Sequence, residues 1–307
     1  MAVATGTLQP ILGAAEDDLV VRRNLAWKKF SRHRPALVGA VVLALLAFVA
    51  VFAKFLTPYD FAAIDPAWQG SPLAPGVHGH LLGTDEIGRD LLTRLMYGGR
   101  ISLSLAITAM LIEVIVGTII GAFAGYFGGW FDYALMRITD IFLSIPLLPL
   151  LLVLTGIVAA KSTKASLSFV TIAFIIGLLS WPTVARLVRG AFLSLREKEF
   201  AEAARAIGAR NVSIIFRHLL PNAVGPITVQ ATLDIANIII LESTLSFLGF
   251  GIQPPTASWG SMLANAQETI SEAPWVAVLP GLCIVITTLA INFMGDGLRD
   301  ALDPNVE

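Results

Sequence analysis

Residues 197–221 read EKEFAEAARAIGARNVSIIFRHLLP, a polar island between two long apolar runs. Phe200, Ala203, Ala204 and Ile207 recur at helical spacing on one face, with Glu199, Glu202 and Arg205 lying off it. Gly208 follows where a helix can end in a left-handed cap. Beyond it Val212, Ile215, Phe216 and Leu219 form a second stripe, Asn211 is placed to cap that stripe, and Pro221 stops it. The spacing predicts two short helices with a break between them. Their apolar face is too small to make a core of its own, so a unit tethered by two membrane spans is built to dock.

The surrounding composition supports that setting. The chain of 307 residues is 56% hydrophobic and 14% charged, where ordinary globular domains carry about 25% charged residues. Several apolar runs of about 20 residues match the hydrocarbon thickness of a bilayer. The reading is an all-α, polytopic membrane protein with six transmembrane helices, over about 36–56, 101–127, 133–158, 167–188, 222–250 and 276–293. Residues 1–35 are a cytoplasmic arm carrying Arg22, Arg23, Lys28, Lys29, Arg32 and Arg34; 36–294 are the membrane domain; 190–221 are the docking loop; 295–307 are a cytoplasmic tail. Fifteen of the 21 Lys and Arg fall in the segments that this topology places inside or in the span ends next to them, which puts both termini in the cytoplasm. The first 21 residues lack an apolar core, so no cleavable signal peptide is expected.

Within the spans, Gly117, Gly121 and Gly125 recur every four residues and predict close helix packing. Pro146 and Pro149 predict a kink or a bend. Ile87, Leu91, Leu95 and Met96 predict a short outer helix within residues 83–100, separate from the second span. Trp259 and Trp275 suit an interfacial belt. Glu113, Asp234 and Glu242 are acidic positions inside spans. Each belongs either to the translocation path or a gate, or to structural hydrogen bonds.

Signatures of covalent chemistry are missing. His33, His78, His80 and His218 are scattered, with no metal spacing and only Cys283 as a thiol. Gly83 and Gly88 have phosphate-loop spacing, but Arg89 and Asp90 stand where Lys and Ser/Thr are required. No catalytic, cofactor-binding or metal-binding residue is expected.

Glu202-Ala203-Ala204, Gly208 and Leu220-Pro221 resemble the EAA loop of the permeases of bacterial ABC importers, with His218 where that family often has Ile. The run GTDEIGRD at 83–90 and the segments 125–132, 181–221 and 292–304 resemble the second, C-type permease subunit of the dipeptide, oligopeptide and nickel group. The resemblance implies a type I importer fold and a cytoplasmic coupling helix formed by Phe200, Glu202, Ala203, Ala204, Ile207, Gly208, Leu220 and Pro221. It implies a bacterial inner-membrane protein paired with a homologous permease, two ATPase subunits that hold the ATP and magnesium, and an external solute-binding protein. Di- or oligopeptides are the implied cargo, with nickel and glutathione-like compounds open. The residues taken alone also admit a secondary transporter or channel acting without ATPase subunits, or a membrane scaffold that recruits a cytoplasmic partner.

Overall fold

A computed structural model describes residues 27–161 and 169–302, with Lys161 by its backbone alone. Most of the expected cytoplasmic arm, the loop around Lys164 and the last residues of the expected tail lie outside the described residues.

Nine helices carry the description: α1 Arg34–Val51, α2 Leu91–Phe127, α3 Gly129–Ser144, α4 Leu147–Lys161, α5 Phe169–Leu195, α6 Glu199–Ala206, α7 Asn211–Phe247, α8 Trp259–Asn265 and α9 Trp275–Leu302. Helices α1, α2, α5, α7 and α9 are long and apolar enough to cross a membrane. The pair α3–α4 is bent by 85° at Ile145–Pro146 and makes a sixth crossing if counted as one. Pro146 acts here as expected, since the residue before a proline is pushed from helical to extended backbone and Ile145 has ψ 127, whereas Pro149 lies in the first turn of α4.

Several boundaries differ from the reading above. The short outer helix is not separate: α2 runs unbroken for 37 residues from Leu91. Asp90 caps it, accepting a 2.8 Å bond from the Thr93 amide. Gly98 and Gly99 stay helical within it, and Trp259 packs on them; a Cβ on Gly99 would lie 2.8 Å from its ring. Trp259 is therefore buried, its indole donating 3.0 Å to the Leu95 carbonyl, rather than part of an interfacial belt. At the other end of the chain α9 continues helically through Gly295 to Leu302, where a tail was expected.

Three cores stack along the helices. The outer one joins Leu91 and Leu95 to Trp259, Met262 and Val276. The middle one joins Leu105 and Ala109 of α2 to Ile172 and Ile176 of α5 and to Ile238 and Ile239 of α7. The inner one joins α5 and α7 to α6. Helices α2 and α5 touch along their length through the predicted glycine stripe. A Cβ on Gly117, Gly121 or Gly125 would stand 2.6 Å from Val184, 2.4 Å from the Ala185 carbonyl or 2.6 Å from Phe192. Ile107, Leu111, Ile115 and Ile119, spaced by four on the other side of α2, stay exposed, as a surface facing lipid or another subunit requires.

Candidate functional site: a docking knuckle and a buried acidic cavity

The docking loop forms as two helices with a glycine hinge. Helix α6 ends in a Schellman motif: Gly208 at φ 78 donates to Arg205, and Ala209 donates to Ala204. An L side chain strains at that φ, which is why glycine stands there. The single predicted stripe is split by the structure. Ala204, joined by Ala201, turns inward onto Val188 and Phe192 of α5 and Ile214, Ile215 and Leu219 of α7. Phe200 and Ala203 are exposed, and Ile207 is 85% exposed. Glu202 is also on the open side. Sequence periodicity could not find Ala201, because alanine gives little contrast between the two faces.

The second stripe is split as well. Ile215 and Leu219 are buried with Ile214, while Val212 and Phe216 are exposed. The reason is a wide, π-type turn over Ile214–Leu219, in which the Leu220 amide reaches back to Ile215. It lies immediately before Pro221, whose ring cannot sit against a carbonyl four residues back. Leu220 and Pro221 thus begin the regular part of α7 instead of ending a loop. Asn211 does not cap its helix; its Oδ1 accepts the Tyr126 hydroxyl at 2.8 Å. Arg196 adds a 3.2 Å bond to the Gly125 carbonyl, so the inner end of α2 is stitched to both sides of the knuckle.

The acidic positions separate. Glu113 of α2 and Asp234 of α7 face each other and line one cavity of about 350 Å³. Its walls come from the α3–α4 elbow at Phe142 to Leu147, from Leu179 to Thr183 on α5, and from Asn237 to Leu241 on α7. Asp234 Oδ1 accepts from Gln230 at 2.9 Å. Glu242 is not among the lining residues. It is fully buried in a cage of serines, accepting from Ser246 at 2.7 Å and Ser102 at 3.4 Å. Ser102 in turn accepts from the Trp259 amide at 3.2 Å, and Ser246 from the Ile252 amide at 3.0 Å. Glu242 therefore ties α2, α7 and the outer loop together.

The outer segment is clamped by polar contacts that the sequence did not disclose. His80 bridges two carboxylates, with Nδ1 2.8 Å from Asp90 and Nε2 2.8 Å from Asp65. Burial opposes its charge, but the hydrogen bonds to Asp90 and Asp65 outweigh burial and hold its pKa above the usual imidazole value. The Asp65 carboxyl is held below the usual range by its bond from the Ala67 amide and by His80. Nearby, Asp85 takes Arg89 at 2.7 Å and Arg94 at 2.9 Å. The Gly83–Asp90 run is thus a structural clasp at the start of α2, which accounts for its acidic and basic residues without any phosphate site.

Comparison with known proteins places this geometry. The family model described as "Binding-protein-dependent transport system inner membrane component" matches residues 117–307, and that for the "N-terminal TM domain of oligopeptide transport permease C" matches residues 23–75. The chain is 42% identical over 288 residues to the dipeptide transport system permease protein DppC of Escherichia coli (strain K12), covering 92% of each chain. It is 38% identical over 288 residues to the di/tripeptide transport system permease protein DppC of Pseudomonas aeruginosa, covering 92% of this chain and 91% of that one. An inward-facing structure of the MetNI methionine ABC transporter superposes with a TM-score of 0.56 at 21% identity, over 68% of this chain and 96% of that one.

Proposed function

The chain belongs to the family of binding-protein-dependent transport system inner membrane components, the multi-pass permeases of ABC importers, and from that premise we propose that it passes di- or oligopeptides. Membership replaces the reading of a secondary transporter or channel, and it places ATP hydrolysis in separate subunits. The finer assignments are our own. The partners are one homologous permease, two ATPase subunits that hold ATP and magnesium, and an external binding protein. The setting is the bacterial inner membrane, with both termini cytoplasmic; the excess of Lys and Arg on that side supports this orientation.

One observation carries the mechanism. Helix α6 shares a core with α5 and α7 through Ala201, Ala204, Phe192 and Ile215, while Ile207 projects without cover. A packed core transmits displacement instead of absorbing it. An ATPase subunit that receives Phe200, Ala203 and Ile207 therefore moves α5 and α7 as it closes, with Glu202 and Gly208 setting the approach of the knuckle and Leu220 and Pro221 starting the driven helix. The cavity between α2, α5 and α7 changes its open side as the two states exchange.

The test is reconstitution of the complete complex in proteoliposomes with its binding protein. Ile207→Asp and Gly208→Pro are expected to lower dipeptide uptake at least about tenfold, since losing one buried aliphatic contact removes about 1.5–3 kcal/mol, while basal ATPase activity persists. Full uptake in both variants would overturn the assignment. A binding protein that retains nickel or a glutathione-like compound, and no peptide, would overturn the cargo.

A further inference from the structure

Two carboxyls in the middle of a membrane protein need balancing. Glu113 is 2% exposed and Asp234 is 5% exposed. Glu113 and Asp234 hydrogen-bond to each other, and among the described residues no other group pairs with Glu113 Oε2 or Asp234 Oδ2, or with Ser180 Oγ on the facing helix. All three residues line the same cavity, together with the neutral oxygens of Asn237 and Thr183. Among the described residues no Lys, Arg or His lines it. Desolvated acceptors left unpaired cost free energy. A shared proton holds the pair together at rest, and a cation to replace it has to come from outside the described residues.

We propose that Glu113 and Asp234 form a transit site for a primary ammonium group, the α-amine of a peptide cargo. The peptide part rests on the function proposed above. An ammonium presents three donors and no acceptor, which suits a wall offering carboxyl, hydroxyl and amide oxygens. A divalent metal suits it less: hard cations take six to eight oxygens, several from carboxylates, and among the described residues no group of three or more His, Cys, Asp or Glu could hold one. The cavity of about 350 Å³ falls within the range of small-ligand sites, about 300–1,000 Å³. A path must also release what it binds. Two carboxyls give a single positive charge fewer oxygen partners than a metal cage would, so the site favours passage over capture.

The test reads charge preference directly. In the assembled complex with Cys283→Ala, Ser180→Cys is treated with ammonium-bearing, neutral and sulfonate-bearing methanethiosulfonates of matched size. Modification rates are measured with and without nucleotide, and Asn237→Cys serves as a second reporter position. The ammonium reagent is expected to react about tenfold faster than the neutral one, on the scale of charge focusing in a cleft, and the sulfonate slower still. The preference is expected to collapse toward unity in Glu113→Gln/Asp234→Asn. Equal rates for the ammonium and neutral reagents at both reporter positions would overturn the site. So would a preference unchanged by the double substitution, or absence of modification by any reagent in every nucleotide state. A complex that keeps the ammonium preference but imports no peptide refutes the cargo alone.

Discussion

Gly121 lies directly against the backbone of Ala185: a methyl group built on it would stand 2.4 Å from the Ala185 carbonyl oxygen. Backbone cannot swing aside as a side chain can, so the contact sets the spacing of α2 and α5. Gly121→Ala is expected to destabilise the complex by about 1–3 kcal/mol, the cost of overpacking a tight core, read as a lower melting temperature in detergent. Gly190→Ala on the same α5 is the control. Nothing lies within 4 Å of its Cβ, and the substitution is expected to be neutral, or stabilising by up to about 1 kcal/mol. Equal losses in the two variants would show that the glycine stripe does not set the packing.

Glu242 accepts hydrogen bonds from Ser246 and Ser102 at a junction of three segments. Glu242→Ala is expected to take away the acceptor of those buried hydroxyl hydrogens, at about 1–3 kcal/mol for an orphaned group, and to lower the yield of folded complex. Glu242→Gln keeps an acceptor in place and is expected to restore folding, with peptide uptake per assembled complex close to the unaltered protein. Normal yield with abolished uptake in Glu242→Gln would instead make this residue part of the path.

The His80 bridge is expected to make the outer segment sensitive to pH in two opposite ways. The folded pKa of His80 is raised, so its contribution is present below the unfolded imidazole value and is lost as pH rises through the higher folded one. The folded pKa of Asp65 is lowered, so its contribution is present above the unfolded carboxyl value and is lost as pH falls through the lower folded one. Melting temperature measured from pH 4 to 9 is expected to decline on the alkaline side, and His80→Gln is expected to flatten that decline while keeping the part of the acid side that the Ala67 amide gives Asp65. An alkaline limb of the same steepness in His80→Gln would remove the bridge as its cause.

Much of this was legible along the chain because it depends on periodicity and local chemistry. The four-residue recurrence of Gly117, Gly121 and Gly125 marks one helix face wherever the helix sits, and Pro146 disfavours helix at the residue before it in any context. Gly208 marks a left-handed cap because only glycine takes that conformation without strain, and the Glu202-Ala203-Ala204 run announced a docking unit between two spans. Local signals misled where tertiary contacts outweighed them. The stripe of Ile87, Leu91, Leu95 and Met96 suggested a separate short helix, whereas α2 runs on through Gly98 and Gly99, over which Trp259, some 160 positions later, packs. The stripe of Phe200, Ala203, Ala204 and Ile207 suggested one face, whereas a neighbouring core claimed Ala204 and left Ile207 in the open.

From its residue order alone, the protein was committed to helices that cross a bilayer and to a polar knuckle between two of them, because apolar run length and helix-stop residues act locally. Only the folded arrangement decided what its acidic residues do. Glu113, Asp234 and Glu242 are alike as isolated carboxyls in apolar runs. Their difference arises from what distant segments bring alongside: serines that satisfy Glu242, and a cavity wall that sets Glu113 and Asp234 face to face with no basic residue beside them. The free energy of a buried charge depends on its nearest polar neighbours in space, and those are set by packing.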